Sequence, residues 1–290
     1  MPPASPVLIG IVGDSGSGKS TLSLCIAQAA DPERATLICL DDYHRYGRAE
    51  RERRGITALN PECNRLDLVA DHLAALRQGR AIAKPVYDHH DGTFGPDEVV
   101  EPREVIVVRG LLGLHTEALA QCFDLSVFLD PDPDLRVRWK VERDCAKRGY
   151  SRDQVMEKIS HRRPDADRYI APQRDRADIV IRFAPGSGPV DETGDIDLDM
   201  QITLRRVGEP DDSGLTAGAT SGATSGATGG ARTNAATPHP ASHSPPVART
   251  AAGQRVVPLV LAAAESARDL HATARSRIPS TPPDRHSITP

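Results

Sequence analysis

Five short apolar runs rich in β-branched residues divide the first two thirds of the chain. They cover residues 7–12, 35–40, 104–108, 125–129 and 177–183. Runs of this length without alternating polar positions are typical of strands buried on both faces of a parallel sheet. Helices are predicted between them, at residues 18–30, 66–77, 132–147 and 151–162. The alternation predicts an α/β fold with a doubly wound, mostly parallel sheet.

The apolar pattern ends near residue 207. All ten aromatic residues lie at or before Phe183, and residues 218–229 are near-repeats of Gly-Ala-Thr-Ser. A composition of this kind cannot bury enough apolar surface to offset the loss of chain entropy. We therefore predict one folded domain at residues 1–208 and a largely disordered tail at 209–290. An Ala- and Leu-rich segment at 258–275 is a candidate short helix in that tail, marginal in isolation.

Composition excludes several classes of protein. The 290 residues contain no apolar run of the ~18 residues that a membrane span needs. The first residues lack the basic region of a secretory signal, so we expect a cytoplasmic protein that binds no membrane. A formal net charge of -4 does not favour nucleic acid as a partner. The five cysteines are far apart with no C-x-x-C pair, which argues against a zinc ribbon or a disulfide framework.

A glycine-rich motif lies directly between the first predicted strand and the first predicted helix. Its sequence GDSGSGKS fits G-x-x-x-x-G-K-[ST], the phosphate-binding loop (P-loop). Glycines let backbone N–H groups approach phosphate oxygens, the lysine neutralises the β- and γ-phosphates, and the following hydroxyl binds Mg²⁺. The residues expected to bind the nucleotide phosphates are Gly13, Asp14, Ser15, Gly16, Ser17, Gly18, Lys19, Ser20 and Thr21.

The class of P-loop protein is narrowed by a missing motif and by two carboxylates. A GTPase carries N/T-K-x-D to recognise guanine, and no lysine here is followed at that spacing by Asp. Asp41 and Asp42 follow the second predicted strand, at the sheet edge where open α/β folds bind ligands. A carboxylate there suits a kinase, which must orient or deprotonate an acceptor hydroxyl.

Two basic clusters suggest that the acceptor is itself phosphorylated. The first contains Arg45, Arg48, Arg51, Arg53 and Arg54, and the second contains Arg136, Arg138, Lys140, Arg143, Lys147 and Arg148. Lys140, Arg143 and Lys147 share one face of a predicted helix. Each cluster alone is typical of a solvated surface, but two beside a P-loop favour a phosphorylated substrate.

Five segments resemble the plant and cyanobacterial phosphoribulokinases, within the wider uridine kinase-like group of P-loop kinases. They are GDSGSGKST (13–21), ICLDDYH (38–44), GITALNP (55–61), KPVYDH (84–89) and WKVERDCAKRGY (139–150). The resemblance extends from about residue 7 to 207. It implies phosphorylation of the 1-hydroxyl of ribulose 5-phosphate by ATP with Mg²⁺, for carbon fixation, in a homodimer.

The resemblance also assigns roles to individual residues. Asp41 is expected to accept the hydroxyl proton, Lys140 to steady the transferring phosphoryl group, and Ser20 and Asp41 to bind the metal. The expected sugar-phosphate ligands are His44, Arg48, His89, Arg143 and Arg148.

Three departures from the family pattern leave alternatives open. Arg109 stands where the family places Glu after the third core strand, a reversal of charge near the metal. Either the metal site is weakened, or Asp41 and Asp42 bind the metal while Arg109 contacts phosphate. Second, Ser17 stands where the redox-regulated members of the family have a P-loop cysteine, so Cys39 lacks its redox partner. Third, the folded C-terminal segment of the family is replaced here by the Gly-Ala-Thr-Ser repeats. The alternatives are a kinase of another sugar or nucleoside, and a nucleotide-binding regulator with impaired catalysis.

Overall fold

Eight strands form two sheets in the computed structural model, which describes residues 5–186, 198–205 and 256–264. The strands are β1 (Val7–Gly13), β2 (Ala35–Cys39), β3 (Ile82–Tyr87), β4 (Phe94–Val100), β5 (Val105–Gly110), β6 (Leu125–Leu129), β7 (Ile179–Pro185) and β8 (Leu198–Leu204). The central sheet has the order β2-β5-β1-β6-β7-β8, and β3 and β4 form a separate antiparallel hairpin. Within the central sheet every pair is parallel except β7 with β8. The predicted fold class is thereby confirmed.

Helices connect the parallel strands. They are α1 (Lys19–Ala29), α2 (Arg48–Arg54), α3 (Leu66–Arg77), α4 (Glu117–Ala120), α5 (Pro133–Arg148) and α6 (Arg152–Asp165). Their ends carry recognisable signals: Asp132 caps α5 ahead of a proline, and Gly149 ends that helix with φ 67°. Ser151 and Gln154 form a capping box that starts α6. These signals explain why the charged segment after β6 divides into two helices.

The inner strands β1, β5 and β6 of the central sheet are largely buried on both faces, which explains why most of their residues are apolar. Within β1, Leu8 and Val12 belong to one core cluster, together with α3. Ile9 and Ile11 belong to the other, together with α1 and α5. Strand residues alternate between faces, so a strand covered on both sides has few polar positions.

Several elements differ from the predictions. The hairpin of β3 and β4 was not predicted, because Lys84 and Pro85 interrupt β3 and almost every residue of β4 is exposed. Helices α2 and α4 were not predicted either, and neither was β8, whose residues are mostly exposed. Predicted and observed bounds of the other elements differ by at most three residues. None of the helices in the described ranges is long and apolar enough to cross a bilayer.

The packed core does not end near residue 207, contrary to the prediction. Residues 256–264 are helical, and Val256, Val257, Val260 and Ala264 are buried in the cluster that contains β7 and α5. These four positions form one helical stripe, which packing stabilises even though a short isolated helix is marginal. The described helical residues include Val256 and Val257, which precede the predicted segment. The rest of the predicted tail lies outside the described residues.

Candidate active site

The turn between β1 and α1 has a backbone that only glycine tolerates. Gly13, Gly16 and Gly18 have φ of 147°, 90° and 96°. A Cβ on Gly13 would lie 2.6 Å from the carbonyl oxygen of Leu129, and one on Gly16 would lie 2.9 Å from the Cβ of Lys140. Glycine is therefore required both for the backbone angles and for the close packing of α5 on the loop.

The donors of this turn are arranged for an anion. Gly18 provides no side-chain cap for α1, so the first N–H groups of the helix open toward the loop. Among the described residues, the buried side-chain atoms without a hydrogen-bond partner are Ser17 Oγ and Thr21 Oγ1. Buried hydroxyls normally have partners, and a phosphate would supply acceptor oxygens to both. The loop thus fits the phosphates of a nucleotide.

Lys19 lies inside the same loop. Its Nζ donates to the carbonyl oxygens of Gly13 and Asp14 at 2.8 and 2.7 Å. Burial lowers the pKa of the Lys19 ammonium to about 8, although the negative charges of Asp14 and Asp41 partly offset this. The two carbonyl oxygens are neutral, so the buried ammonium has no full opposite charge from them. A bound phosphate would supply that charge and would be held strongly.

A cavity of about 610 Å³ extends from the P-loop to α2, α5 and α6. It brings together fourteen of the sixteen predicted site residues: Ser15, Gly16, Ser17, Gly18, Lys19, Ser20, Thr21, Asp41, His44, Arg48, His89, Lys140, Arg143 and Arg148. Gly13 and Asp14 do not line it. Gly13 is buried at the end of β1, and Asp14 pairs with Arg136 at 2.8 Å.

The two neighbouring aspartates after β2 have different surroundings. The Asp41 side chain is 32% exposed and faces the cavity. Burial alone would raise the pKa of its carboxyl, but the surrounding positive groups outweigh burial and lower that pKa. These groups are His44, His89, Lys19 and Arg109. Asp41 is therefore ionised at neutral pH.

Asp42 points away from the cavity. Its carboxylate accepts from Lys84 Nζ at 2.6 Å and from the backbone N–H of Tyr87 at 3.1 Å, which fastens the β3–β4 hairpin to the sheet. The alternative in which Asp41 and Asp42 together bind the metal is therefore wrong. The 3₁₀ turn at Leu40–Tyr43 separates the directions of the two side chains.

Oxygen donors suitable for Mg²⁺ remain at the phosphate end. Ser20 and Asp41 both line the cavity, and Mg²⁺ is commonly held by one or two carboxylates together with substrate phosphates. These residues fit the ion. Arg109 is paired in register with Cys39, and its Nη1 donates to Ser23 Oγ at 3.3 Å. This places a positive charge close enough to Asp41 to contribute to lowering the pKa of its carboxyl.

Two histidines flank Asp41. His89 Nε2 lies 3.9 Å from Asp41 Oδ2. His44 Nδ1 is 2.8 Å from Asn64 Oδ1 and donates to it, because the amide nitrogen of Asn64 is already committed to two carbonyls. Burial lowers the pKa of both imidazoles. Arg48 donates to the carbonyl oxygens of His89 and His90, so it also holds the loop between β3 and β4.

Helix α5 carries positively charged side chains that line the cavity and are held in place by a carboxylate on the same helix. The sequence analysis missed that carboxylate. Asp144 accepts from Lys140 and Arg143, each at 2.9 Å, and lies 3.5 Å from Arg148. Burial lowers the pKa of Lys140 to about 8. Burial would raise the pKa of Asp144, but its cationic partners outweigh burial and lower it to about 2. The i, i+4 spacing from Lys140 was the signal in the sequence.

The far end of the cavity is also basic. Arg51 and Arg162 line this end. Burial is the main cause that lowers the pKa of Arg162, and the nearby positive charges of Arg51 and Arg148 lower it further. Arg51 also donates to Tyr87 Oη at 2.7 Å. Lys158 and His161 line the same end from α6. Sequence reasoning missed the residues of α6, because no local motif marks them.

Not every member of the predicted basic clusters lines the cavity. Arg54 and Arg138 instead form exposed pairs with Glu50 and Glu142.

This geometry, a glycine-bounded phosphate loop under a mostly parallel sheet, defines the P-loop class of nucleotide-binding proteins. Residues 8–187 match the Phosphoribulokinase / Uridine kinase family. The match covers more than half of the chain, and the chain belongs to that family.

Individual relatives place the chain within the family. It is 41% identical over 179 residues to the phosphoribulokinase of Synechocystis sp., which covers 62% of this chain and 54% of the relative. It is 34% identical over 181 residues to the uridine kinase of Brevibacillus brevis, with coverage of 61% and 85%. The chain thus spans about half the length of the phosphoribulokinases it matches.

A solved structure has a similar fold. Phosphoribulokinase from Rhodobacter spheroides superposes with a TM-score of 0.53 at 21% identity, covering 70% of this chain and 81% of that one.

Proposed function

We propose that this protein is a kinase that transfers the γ-phosphoryl group of ATP to the 1-hydroxyl of ribulose 5-phosphate, forming ribulose 1,5-bisphosphate. One observation carries this proposal: a single cavity has a phosphate loop at one end, arginines at the other, and the ionised carboxylate of Asp41 between them. A phosphorylated alcohol would match these groups: its phosphate would contact the arginines, and its hydroxyl would lie at Asp41, next to the ATP phosphates in the loop. The 41% identity to a phosphoribulokinase supports this choice of sugar phosphate over a nucleoside.

The proposed roles follow from position. The P-loop amides and Lys19 bind the ATP phosphates, and Asp41 accepts the proton of the attacking hydroxyl. His44, His89, Arg143 and Arg148 orient the sugar phosphate, assisted by Arg48. Lys140, held by Asp144, neutralises the transferring group. Mg²⁺ bound by Ser20 and Asp41 would stabilise the charge of the phosphates.

An acceptor panel tests the proposal. Purified protein is supplied with MgATP and ribulose 5-phosphate, ribulose or uridine, and ADP release is measured. We expect turnover with ribulose 5-phosphate, and a loss of about a hundredfold or more in Asp41→Asn. Lys19→Ala should abolish ATP binding, whereas Asp153→Asn, an exposed change on α6, should leave both properties unchanged. Turnover of uridine without turnover of ribulose 5-phosphate would refute the choice of substrate.

Arg109 favours a second candidate, a nucleotide-binding regulator without catalysis. Its guanidinium and Asp41 are close enough to influence the Asp41 pKa, in a region where a carboxylate would serve a metal better. Arg109→Glu distinguishes the two candidates. If that variant gains activity that the parent lacks, the parent is a regulator. If the parent is active and the variant is not faster, Arg109 belongs to a working kinase.

A further inference from the structure

Three chemically different metal-ligating groups converge where β2 ends. The Sγ of Cys39, a carboxylate oxygen of Asp41 and a ring nitrogen of His89 all lie within 4.8 Å of one another. In the part of the chain that the structure describes, no other set of three such groups is this close. Cys39 has no role in the phosphoryl transfer proposed above.

The donor atoms decide which metals this set would accept. Two of the three donors are a sulfur and a ring nitrogen, whereas Mg²⁺ and Ca²⁺ prefer oxygen. A thiolate and an imidazole select softer ions with strong bonds to sulfur and nitrogen, such as Zn²⁺ and Co²⁺.

The spacing of the three donor atoms can be compared with that of a tetrahedral metal site. With Zn–S of ~2.3 Å and Zn–N and Zn–O of ~2.0 Å, tetrahedral ligand atoms lie roughly 3.3–3.6 Å apart. His89 Nε2 and Asp41 Oδ2 are 3.9 Å apart, and the His89 side chain is 45% exposed on the loop between β3 and β4. Rotation of that exposed imidazole shortens the distance from Nε2 to Oδ2, and the Cys39 Sγ lies within 4.8 Å of both atoms.

We propose that Cys39, Asp41 and His89 form a binding site for a thiophilic divalent ion such as Zn²⁺. Filling the site inhibits the kinase, because the ion occupies the Asp41 carboxylate and turns His89 away from the acceptor. The inhibition rests on the proposed function, whereas metal binding does not.

Co²⁺ provides a direct optical test of binding on the full-length, metal-free protein. We expect one equivalent to produce a thiolate-to-cobalt charge-transfer band with tetrahedral d–d bands, and Zn²⁺ to displace it. Cys39→Ser should remove the charge-transfer band, and His89→Ala should weaken binding roughly tenfold or more. Cys122→Ser and His90→Ala are matched controls that keep it. A band that survives in Cys39→Ser, or disappears in Cys122→Ser, overturns the proposal.

Kinase assays test the inhibition separately. With excess MgATP, and with each protein's rate expressed relative to its own rate without Zn²⁺, Zn²⁺ should inhibit the parent at concentrations roughly tenfold or more below those needed for Cys39→Ser. Equal sensitivity of both proteins would refute inhibition through this site. If the parent phosphorylates no acceptor, the proposed function fails, and the cobalt spectrum still decides whether the metal site exists.

Discussion

The carboxylate of Asp144 holds the cations of α5 in place, and its removal should cost stability that depends on pH. The Asp144 and Lys140 side chains are 3% and 4% exposed and 2.9 Å apart. Removing one partner of a buried ion pair costs ~3–5 kcal/mol, because the other charge stays buried. Asp144→Asn keeps one acceptor oxygen, so we expect a loss of about 3 kcal/mol in the free energy of unfolding at pH 7.

The pH dependence separates charge from packing. Since burial lowers the Lys140 pKa to about 8, the folded protein releases this proton as the pH rises above that value. The lysine then needs no counter-ion. At pH 9 we expect the loss caused by Asp144→Asn to shrink to ~1–2 kcal/mol, the value of the weakened hydrogen bonds to the arginines.

Urea unfolding of the full-length chain, followed by circular dichroism at both pH values, measures these losses. Glu142→Gln is the matched control, because Glu142 lies on the same helix in an exposed i, i+4 pair, where we expect a loss below ~0.5 kcal/mol. The reasoning fails if Asp144→Asn is no more harmful than Glu142→Gln, or if its effect is undiminished at pH 9.

Three further predictions concern the loop, the C-terminal helix and Lys19. Gly16→Ala should weaken ATP binding in calorimetry by about tenfold or more, because its φ is 90° and α5 packs against it, whereas Gly79→Ala, in open space with φ 74°, should leave affinity unchanged. Val260→Asp should destabilise the protein by about 3 kcal/mol or more and Leu259→Asp by less than ~0.5 kcal/mol; equal losses would contradict docking of this helix. ATP affinity should decline as the pH rises through about 8, because the buried Lys19 of the free protein loses its proton there. Lys19→Arg should reduce that decline, because arginine keeps its charge. If ATP affinity depends on pH in the same way in both proteins, Lys19 is not the cause of the decline.

Much of the site was predictable because local sequence controls it. The P-loop needs glycines, a lysine and a helix start in one short segment, and parallel strands carry both that segment and Asp41 to the same edge of the sheet. The basic face of α5 follows from its helical period. The locations of Arg51 and Arg162 were not predictable, because α2 and α6 reach the cavity through long-range packing.

The sequence by itself determined the buried parallel strands, the phosphate loop and the approximate ends of the main helices, since each depends on residues within a few positions of one another. Only the tertiary structure decided that Asp41 faces the cavity while Asp42 binds Lys84, and that Asp144 organises the cations of α5. It also decided that residues 256–264 pack on a core whose other members lie at least fifty positions earlier in the chain. Such outcomes depend on which surfaces meet after the chain folds, and a local pattern of side chains carries no record of its distant partners.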